Sequence, residues 1–273
     1  MLRSRPGFMR RQEARLFPKI SNLGLRAMVV GLMILSGRAN HSFAQGGPPL
    51  ITDDPDTPGN NKWENNIALI LDATPVRKVL QSPNWDLNYG YGEHIQLNYQ
   101  AGIIGQRVNG QLDETGMTQE LFGVKWRFID ARSEKEGISV STYPKYAFRG
   151  PLSSPSTDLA PTEPAWQFPI EVKIGLGDLA ITTEVGRMFS SAKPIGWFYG
   201  SVVGYPASET VDLMLEIHGE TDTVPRQDDW LANLGSRIKV SEQLDVITAF
   251  GRFFKTVGRA PEGLVYAGLT LHQ

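Results

Sequence analysis

The chain has 273 residues, of which 41% are hydrophobic and 21% are charged, and it contains no cysteine. The absence of cysteine excludes a disulfide framework, a thiolate metal site and a cysteine nucleophile. The formal net charge is −2, but residues 1–44 hold eight basic residues and one acid, so the rest carries about −9. A chain this acidic is not expected to bind nucleic acid, which requires basic patches.

The N-terminus has the pattern of a secretory signal peptide. A basic stretch precedes an apolar core over residues 27–35, and Ser42 and Ala44 supply small residues at the −3 and −1 positions. We therefore predict that residues 1–44 are a signal peptide cleaved after Ala44. The alternatives are an uncleaved anchor or a buried helix.

Residues 45–62 lack a repeating pattern and contain an acidic cluster of Asp53, Asp54 and Asp56. Oxygen-rich clusters can bind calcium, but this spacing does not match the EF-hand loop. We predict no metal site, and we interpret residues 45–62 as a periplasmic lead-in segment. Partial insertion of this segment into the domain that follows is left open.

From residue 63 to residue 273, apolar residues alternate with polar residues or glycine, which predicts strands with two different faces. The clearest strands are residues 85–91 and 95–101, which a turn at Gly92 and Glu93 joins into a hairpin. The same alternation recurs at 122–128, 166–174, 211–218 and 234–240, and more weakly near 63–72, 138–148, 179–189, 197–205, 244–253 and 263–271.

Three features favour membrane strands over a soluble sandwich. Several strands reach the length of a tilted transmembrane strand, tryptophans lie near strand ends, and long connections alternate with short ones. The fold is therefore predicted to be all-β, an antiparallel transmembrane β-barrel of about 12 strands in the outer membrane, with a soluble periplasmic β-protein as the alternative. The long connections are predicted near 73–84, 104–117, 149–165, 190–196, 219–229 and 254–262.

Short motifs along the whole region after residue 44 resemble one bacterial family. Thr52-Asp53-Asp54-Pro55 with Trp63-Glu64 is similar to its opening, and segments 86–90, 95–97, 123–128, 168–170, 184–186 and 233–235 are similar to later strands. The family is labelled "meta-pathway of phenol degradation" or, loosely, "transporter". The resemblance implies an outer-membrane barrel that admits small organic molecules, often hydrophobic or aromatic. Its partners would be membrane lipid, a small-molecule solute and the outer-membrane assembly machinery.

The polar faces of the predicted strands would line the lumen. They form either a charged constriction that selects solutes or a ladder of salt bridges that fills the interior. The candidate lumen residues are Asn88, Gln96, Asn98, Lys125, Arg127, Glu171, Lys173, Glu184, Asp212, Glu216, Arg237 and Lys239.

Three functions remain open from the sequence. The first is an outer-membrane channel for small organic molecules, and the second is a closed barrel with a structural or surface-interaction role. The third is an enzyme within the barrel, because Glu216 and His218 share one strand face and could form half of an acid–base pair. No serine lies in a nucleophile-elbow pattern, so we predict no enzyme, no catalytic residue and no cofactor.

Overall fold

The computed structural model describes residues 46–133, 135–150, 163–190, 196–221, 228–255 and 262–273. The predicted signal peptide, residues 1–44, lies outside these ranges. Every regular element within them is a β-strand, as the period-two alternation predicts. In the same ranges, no helix is long and apolar enough to cross a membrane.

The described ranges contain fourteen strand segments. They are β1 (Trp63–Ala73), β2 (Arg77–Tyr91), β3 (Ile95–Val108), β4 (Gln111–Met117), β5 (Glu120–Ile129), β6 (Glu136–Thr142), β7 (Lys145–Phe148), β8 (Ala165–Leu176), β9 (Leu179–Ser190), β10 (Gly196–Pro206), β11 (Val211–Thr221), β12 (Asp228–Lys239), β13 (Leu244–Lys255) and β14 (Glu262–His272).

All strand pairs are antiparallel, and the sheet closes on itself. β1 pairs with β14 at one seam, where Glu64 lies opposite His272. Two wall strands are interrupted: β4 and β5 pair one after the other along β3, and β6 and β7 do the same along β8. With each interrupted strand counted once, the described residues form a closed barrel of twelve strands. The predicted fold class and strand number are confirmed.

Two predicted long loops are wrong. Most of residues 73–84 and nearly all of 104–117 are paired strand, since the β1–β2 and β3–β4 pairs continue almost to their turns. Lys78, for example, lies opposite both Ala73 and Arg107. Outside the apolar band of a membrane barrel both faces of a strand meet water. The apolar–polar contrast therefore weakens there while backbone pairing continues, and the sequence looks like a loop.

The outward face of the barrel is apolar and ringed with aromatic side chains. Trp63 and Trp126 project near the short-turn end, and Trp166, Trp197 and Trp230 near the end with the longer connections, each between 38% and 54% exposed. Aromatic girdles at both interfaces are typical of outer-membrane barrels.

Hydroxyl groups on the outward face bond to each other across strands. The Thr183 and Ser201 hydroxyls lie 3.3 Å apart, and those of Ser236 and Thr248 lie 2.9 Å apart. Such pairing satisfies polar groups that lipid cannot satisfy.

The inward face carries most of the buried polar side chains and two small apolar clusters, one of Val79 with Ile104 and one larger. Val202, Met214, Ile247 and Tyr266 from the wall pack there around Leu50. Leu50 precedes the first strand by thirteen residues, so part of the lead-in segment lies inside the barrel.

Candidate functional site

The structure places all twelve candidate lumen residues on inward-facing strand positions. Ten of them are at most 7% exposed, whereas the side chains of Arg127 and Lys239 are 19% and 10% exposed. These positions alternate with the exposed apolar residues of the outer face, as expected for strands whose two faces meet different surroundings. Six of them contact the lead-in segment, namely Lys125, Arg127, Lys173, Glu184, Glu216 and Arg237.

Residues 46–56 form a segment inside the lumen, which we call the lumen segment. It begins with a turn in which the Gly47 N–H donates to the Thr52 carbonyl at 2.7 Å. Thr52 is 0% exposed and Asp54 is 6% exposed. The segment interpreted from sequence as a periplasmic lead-in is therefore enclosed by the barrel wall over this part.

Two buried glutamates bind the backbone of the lumen segment. The Glu216 Oε1 accepts the N–H groups of Ile51 at 3.0 Å and of Thr52 at 2.6 Å, and the Glu184 Oε2 accepts that of Asp53 at 3.1 Å. The Asn233 amide donates to the second oxygen of Glu216 at 2.7 Å. Hydrogen bonds to an ionised acceptor are stronger than neutral ones, so these two glutamates fix the path of the segment's backbone through the lumen.

The aspartates of the segment pair with lysines of the wall. Asp53 forms an ion pair with Lys145, and Lys125 lies 4.0 Å from its other oxygen. Asp56 accepts a hydrogen bond from Lys173 at 2.5 Å. Paired in this way, the charges compensate one another within the lumen, as buried charges require.

Two further contacts extend this network. Lys125 donates to the Asp54 carbonyl, and Arg127 lies 3.7 Å from the Asp56 carboxylate. The wall cations therefore contact the segment through its backbone as well as through its side chains.

An aromatic ring separates two of these cations. Tyr143 lies between β6 and β7 and is 2% exposed. The Lys125 and Lys145 ammonium groups lie 4.7 Å and 4.3 Å from its ring centroid. A cation near an aromatic face is attracted by the ring, so Tyr143 helps to position both lysines. Sequence reasoning missed Tyr143 and Lys145 because they fall at the interruption of a weakly patterned strand.

A second polar cluster lines the wall formed by β2 and β3. The Asp86 Oδ1 accepts the Asn98 amide at 2.5 Å and the Asn88 amide at 3.2 Å, and the Gln96 amide donates to the Asn88 side-chain oxygen at 2.6 Å. Asp86, which the sequence did not single out, is the acceptor shared by Asn88 and Asn98. Its inward position in the alternation was the available signal.

The three aspartates of the lumen segment differ in pKa. Burial on its own would raise the pKa of Asp53, but Lys145 and Lys125 outweigh it and hold that pKa below its usual value. Lys173 and Arg127 do the same for Asp56. Burial, reinforced by the neighbouring Asp56 carboxylate, raises the pKa of Asp54 to about 7. Of the three, Asp54 therefore changes charge nearest to neutral pH.

Three wall glycines make room for the N-terminal residues. A Cβ at Gly200 would overlap the Thr52 hydroxyl, and one at Gly90 would overlap the Gly59 carbonyl. A Cβ at Gly235 would lie 2.9 Å from Leu50, closer than carbon atoms approach. Gly200 and Gly235 thus make room for the lumen segment, and Gly90 makes room for the residues that follow it.

A cavity of about 1040 Å³ remains beside the segment. Its lining includes Met188 and Glu220 towards the end with longer connections, and Gln243 and Gln273 at the short-turn end. Ile70, Leu121, Phe198 and Tyr266 add apolar and aromatic surface to a lining that is otherwise largely polar.

Neither a metal ion nor acid–base chemistry fits this arrangement well. Ligand atoms of Asp53, Glu171 and Glu184 lie within 4.8 Å of one another, but Lys145 pairs with Asp53 and Lys125 lies 3.5 Å from Glu171. These ammonium groups already supply the positive charge that a metal would bring.

The proposed acid–base half-pair is engaged elsewhere. Glu216 accepts the backbone N–H groups of the lumen segment, and the Nδ1 of His218 lies 3.4 Å from the Thr52 hydroxyl. Both side chains therefore contact the segment.

The comparisons with known proteins identify the fold. No family model matches the sequence, and a comparison with curated proteins finds no similar sequence. An outer-membrane channel from Pseudomonas putida F1 superposes with a TM-score of 0.67 at 9% identity, over 82% of this chain and 100% of that chain. Two further matches are weaker. The KdgM porin has a TM-score of 0.49 at 10% identity, over 76% of this chain and 98% of that chain. The CymD monoaromatic hydrocarbon channel has a TM-score of 0.43 at 8% identity, over 79% of this chain and 88% of that chain.

At 9% identity the first of these likenesses shows the fold alone. That fold is a bacterial outer-membrane barrel, and the apolar, aromatic-ringed outer face of this chain is the surface that such barrels present to lipid. The predicted location in the outer membrane is confirmed.

Proposed function

We propose that the protein is a narrow outer-membrane channel for small organic molecules, in which the lumen segment forms the constriction. The observation that carries this proposal is the cavity beside the segment, whose lining includes residues from both ends of the barrel. Twelve strands give a barrel between side-chain-filled eight-stranded barrels and open porins, so a single segment is enough to narrow it.

The lining favours solutes that have both an apolar and a polar part. Phe198, Tyr266 and Ile70 offer apolar contact, while Lys125 and Glu184 present charge nearby. The resemblance to the family labelled "meta-pathway of phenol degradation" supports the same class, small molecules that are hydrophobic or aromatic. Membership of that family is part of this proposal.

The segment is held by hydrogen bonds and ion pairs as well as by the packing of Leu50. Polar contacts of this kind can exchange for water, which makes the segment suitable as a movable constriction. Displacement of the segment would widen the path without unfolding the wall.

The experiment is single-channel recording of the purified protein in planar lipid bilayers, followed by flux of small aromatic alcohols into proteoliposomes. We expect small, discrete current steps and solute flux above that of protein-free vesicles. Wild-type protein that inserts but gives neither current nor flux would overturn the channel proposal.

A second candidate is a closed barrel with a structural or surface-interaction role. The contacts of the lumen segment favour it, because ion pairs and a glutamate–backbone bond join Asp53 and Asp56 to β7, β8 and β9. It predicts that both the wild type and variants with weakened segment contacts remain silent.

A further inference from the structure

The outward face of the barrel carries one arginine enclosed by aromatic side chains. Arg187 occupies an outward position of β9, directly opposite Phe168 of β8 and Trp197 of β10. Its guanidinium lies 4.2 Å from the Trp197 ring centroid and 5.8 Å from that of Phe189. The charged group is therefore surrounded by rings on the surface that faces lipid.

This guanidinium has no anionic partner among the described residues. Its Nε is buried and makes no hydrogen bond, and its contacts are the two ring contacts with Trp197 and Phe189. A cation on the lipid-facing surface of a barrel is costly near the bilayer centre and much less so at the interface. A guanidinium at this site is therefore expected to lie at the interface, where the cost of its charge is lower and lipid head groups are within reach.

Arg187 lies at the outer interface. It is three residues from Ser190, the end of β9 that faces the longer connections, and in outer-membrane barrels the long loops are extracellular. A tilted strand rises roughly 2.5 Å per residue along the barrel axis, which puts Arg187 about 20 Å from the short-turn end. Trp197, directly opposite Arg187, belongs to the aromatic girdle at this end of the barrel, so Arg187 lies at the interface near the upper edge of the apolar band.

We propose that Arg187, with Trp197, Phe189 and Phe168, binds a phosphate group of an outer-leaflet lipid. Arginine presents a planar fork that bonds phosphate bidentately, and it keeps a face free for stacking on an aromatic ring. The acyl chains of the same lipid then cover the exposed rings of Phe168 and Trp197, which are 45% and 43% exposed without lipid. The occupant is the phosphorylated lipid of the outer leaflet, not a phospholipid of the inner leaflet.

The chain offers a matched control. Arg252 also occupies an outward position, three residues from the end of β13 at Lys255, so it lies at a similar height. It is exposed, and its one ring contact is with Phe254 at 5.9 Å. The exposed Arg252 and the aromatic-flanked Arg187 can therefore be compared within one protein.

The test is native mass spectrometry of the detergent-purified full-length protein after incubation with bis-phosphorylated lipid A or chemically dephosphorylated lipid A. We expect the wild type and R252Q to retain one phosphorylated lipid, and R187Q to retain at least fivefold less. Binding of R187K should be intermediate, because lysine keeps the charge and loses the fork. Inorganic phosphate at millimolar concentration should not displace the lipid.

Equal retention by R187Q and wild type, or equal retention of the dephosphorylated lipid, would overturn the proposal. Displacement by inorganic phosphate would assign the site to a free anion and overturn the lipid assignment. Folding of R187Q is judged by its heat-modifiable electrophoretic mobility. If R187Q does not fold, the proposal is tested by whether the wild type retains phosphorylated lipid A more strongly than dephosphorylated lipid A.

Discussion

The Glu216 carboxylate accepts the backbone N–H of Thr52 at 2.6 Å, across 164 residues of sequence. The same oxygen accepts the N–H of Ile51, and Glu216 is 0% exposed. One wall side chain thus binds two consecutive peptide groups of the lumen segment. This contact fixes the segment at the level of β11, so it is the first contact to remove in testing what the segment does.

Replacing Glu216 by glutamine should loosen the lumen segment. The amide keeps the shape but loses the charge that strengthens both bonds, at a cost of about 1–3 kcal/mol. We expect larger or more frequent current steps and faster proteolysis near residues 46–56. The control is Glu209→Gln in the turn before β11, since Glu209 is exposed and does not line the cavity. Equal conductance of both variants and the wild type would show that this bond does not limit the path.

Replacing Gly200 by alanine should displace the segment by steric overlap. The new methyl group would occupy the position of the Thr52 hydroxyl. We expect increased conductance in planar bilayers, and partial return to the wild-type value in the double variant Gly200→Ala with Thr52→Ala. Gly263→Ala is the control, because its nearest neighbour would be 3.8 Å from the new Cβ. An unchanged Gly200→Ala channel would mean that the segment accommodates the methyl group without moving.

Conductance should depend on pH through the segment's aspartates. The pKa of Asp54 is about 7 with the segment in place, against an ordinary value near 3.8. Between these two pH values, Asp54 binds a proton when the segment lies against the wall and loses the proton when the segment is released. Lowering the pH from about 7 to about 4.5 therefore favours the docked segment and reduces conductance.

Asp53 and Asp56 have lowered pKa values with the segment in place. Below about pH 4 a released segment binds protons more readily at these two groups, so docking weakens and conductance rises again. Asp54→Asn should remove most of the change in conductance between pH 7 and 4.5 and leave the rise in conductance below about pH 4. An Asp54→Asn profile identical to that of the wild type would exclude Asp54 as the titrating group.

The Ser236–Thr248 pair should stabilise the lipid-facing wall. Thr248→Val leaves the Ser236 hydroxyl in lipid without its partner. Side-chain hydrogen bonds between transmembrane helices contribute about 0.6 kcal/mol on average, and we expect a similar contribution from this pair between strands. We expect Thr248→Val to lower the free energy of unfolding in urea from lipid vesicles. The double variant with Ser236→Ala should recover part of that loss. Strictly additive effects of the two substitutions would show that the hydroxyls do not interact.

The barrel itself could be predicted from sequence because its strands have two unlike faces. Residues such as Trp126 and Lys125 alternate between lipid and lumen, and that contrast is visible without a structure. Where the contrast fades, the prediction is wrong: Lys78 and Arg107 are exposed charged residues in a stretch without clear alternation, yet they lie opposite each other in paired strands.

The interior could be predicted only in part. The inward positions follow from alternation, but the partner of each inward side chain does not. Asp53 and Lys145 are 92 residues apart, and their pairing depends on a coil segment that has no periodic pattern. Residues 46–56 show no strand or helix signal, so nothing local indicates that they enter the barrel.

The lumen segment also constrains the order of assembly. Its contacts reach β5, β7, β8, β9, β11 and β12, strands that are spread around the wall and follow it in the chain by about 70 to 190 residues. Contacts this distant in sequence form late and slow folding. The segment can therefore complete its contacts only after β12, the last of these strands in the chain, has joined the sheet. Docking of the segment is then a late step of folding, distinct from the pairing of neighbouring wall strands.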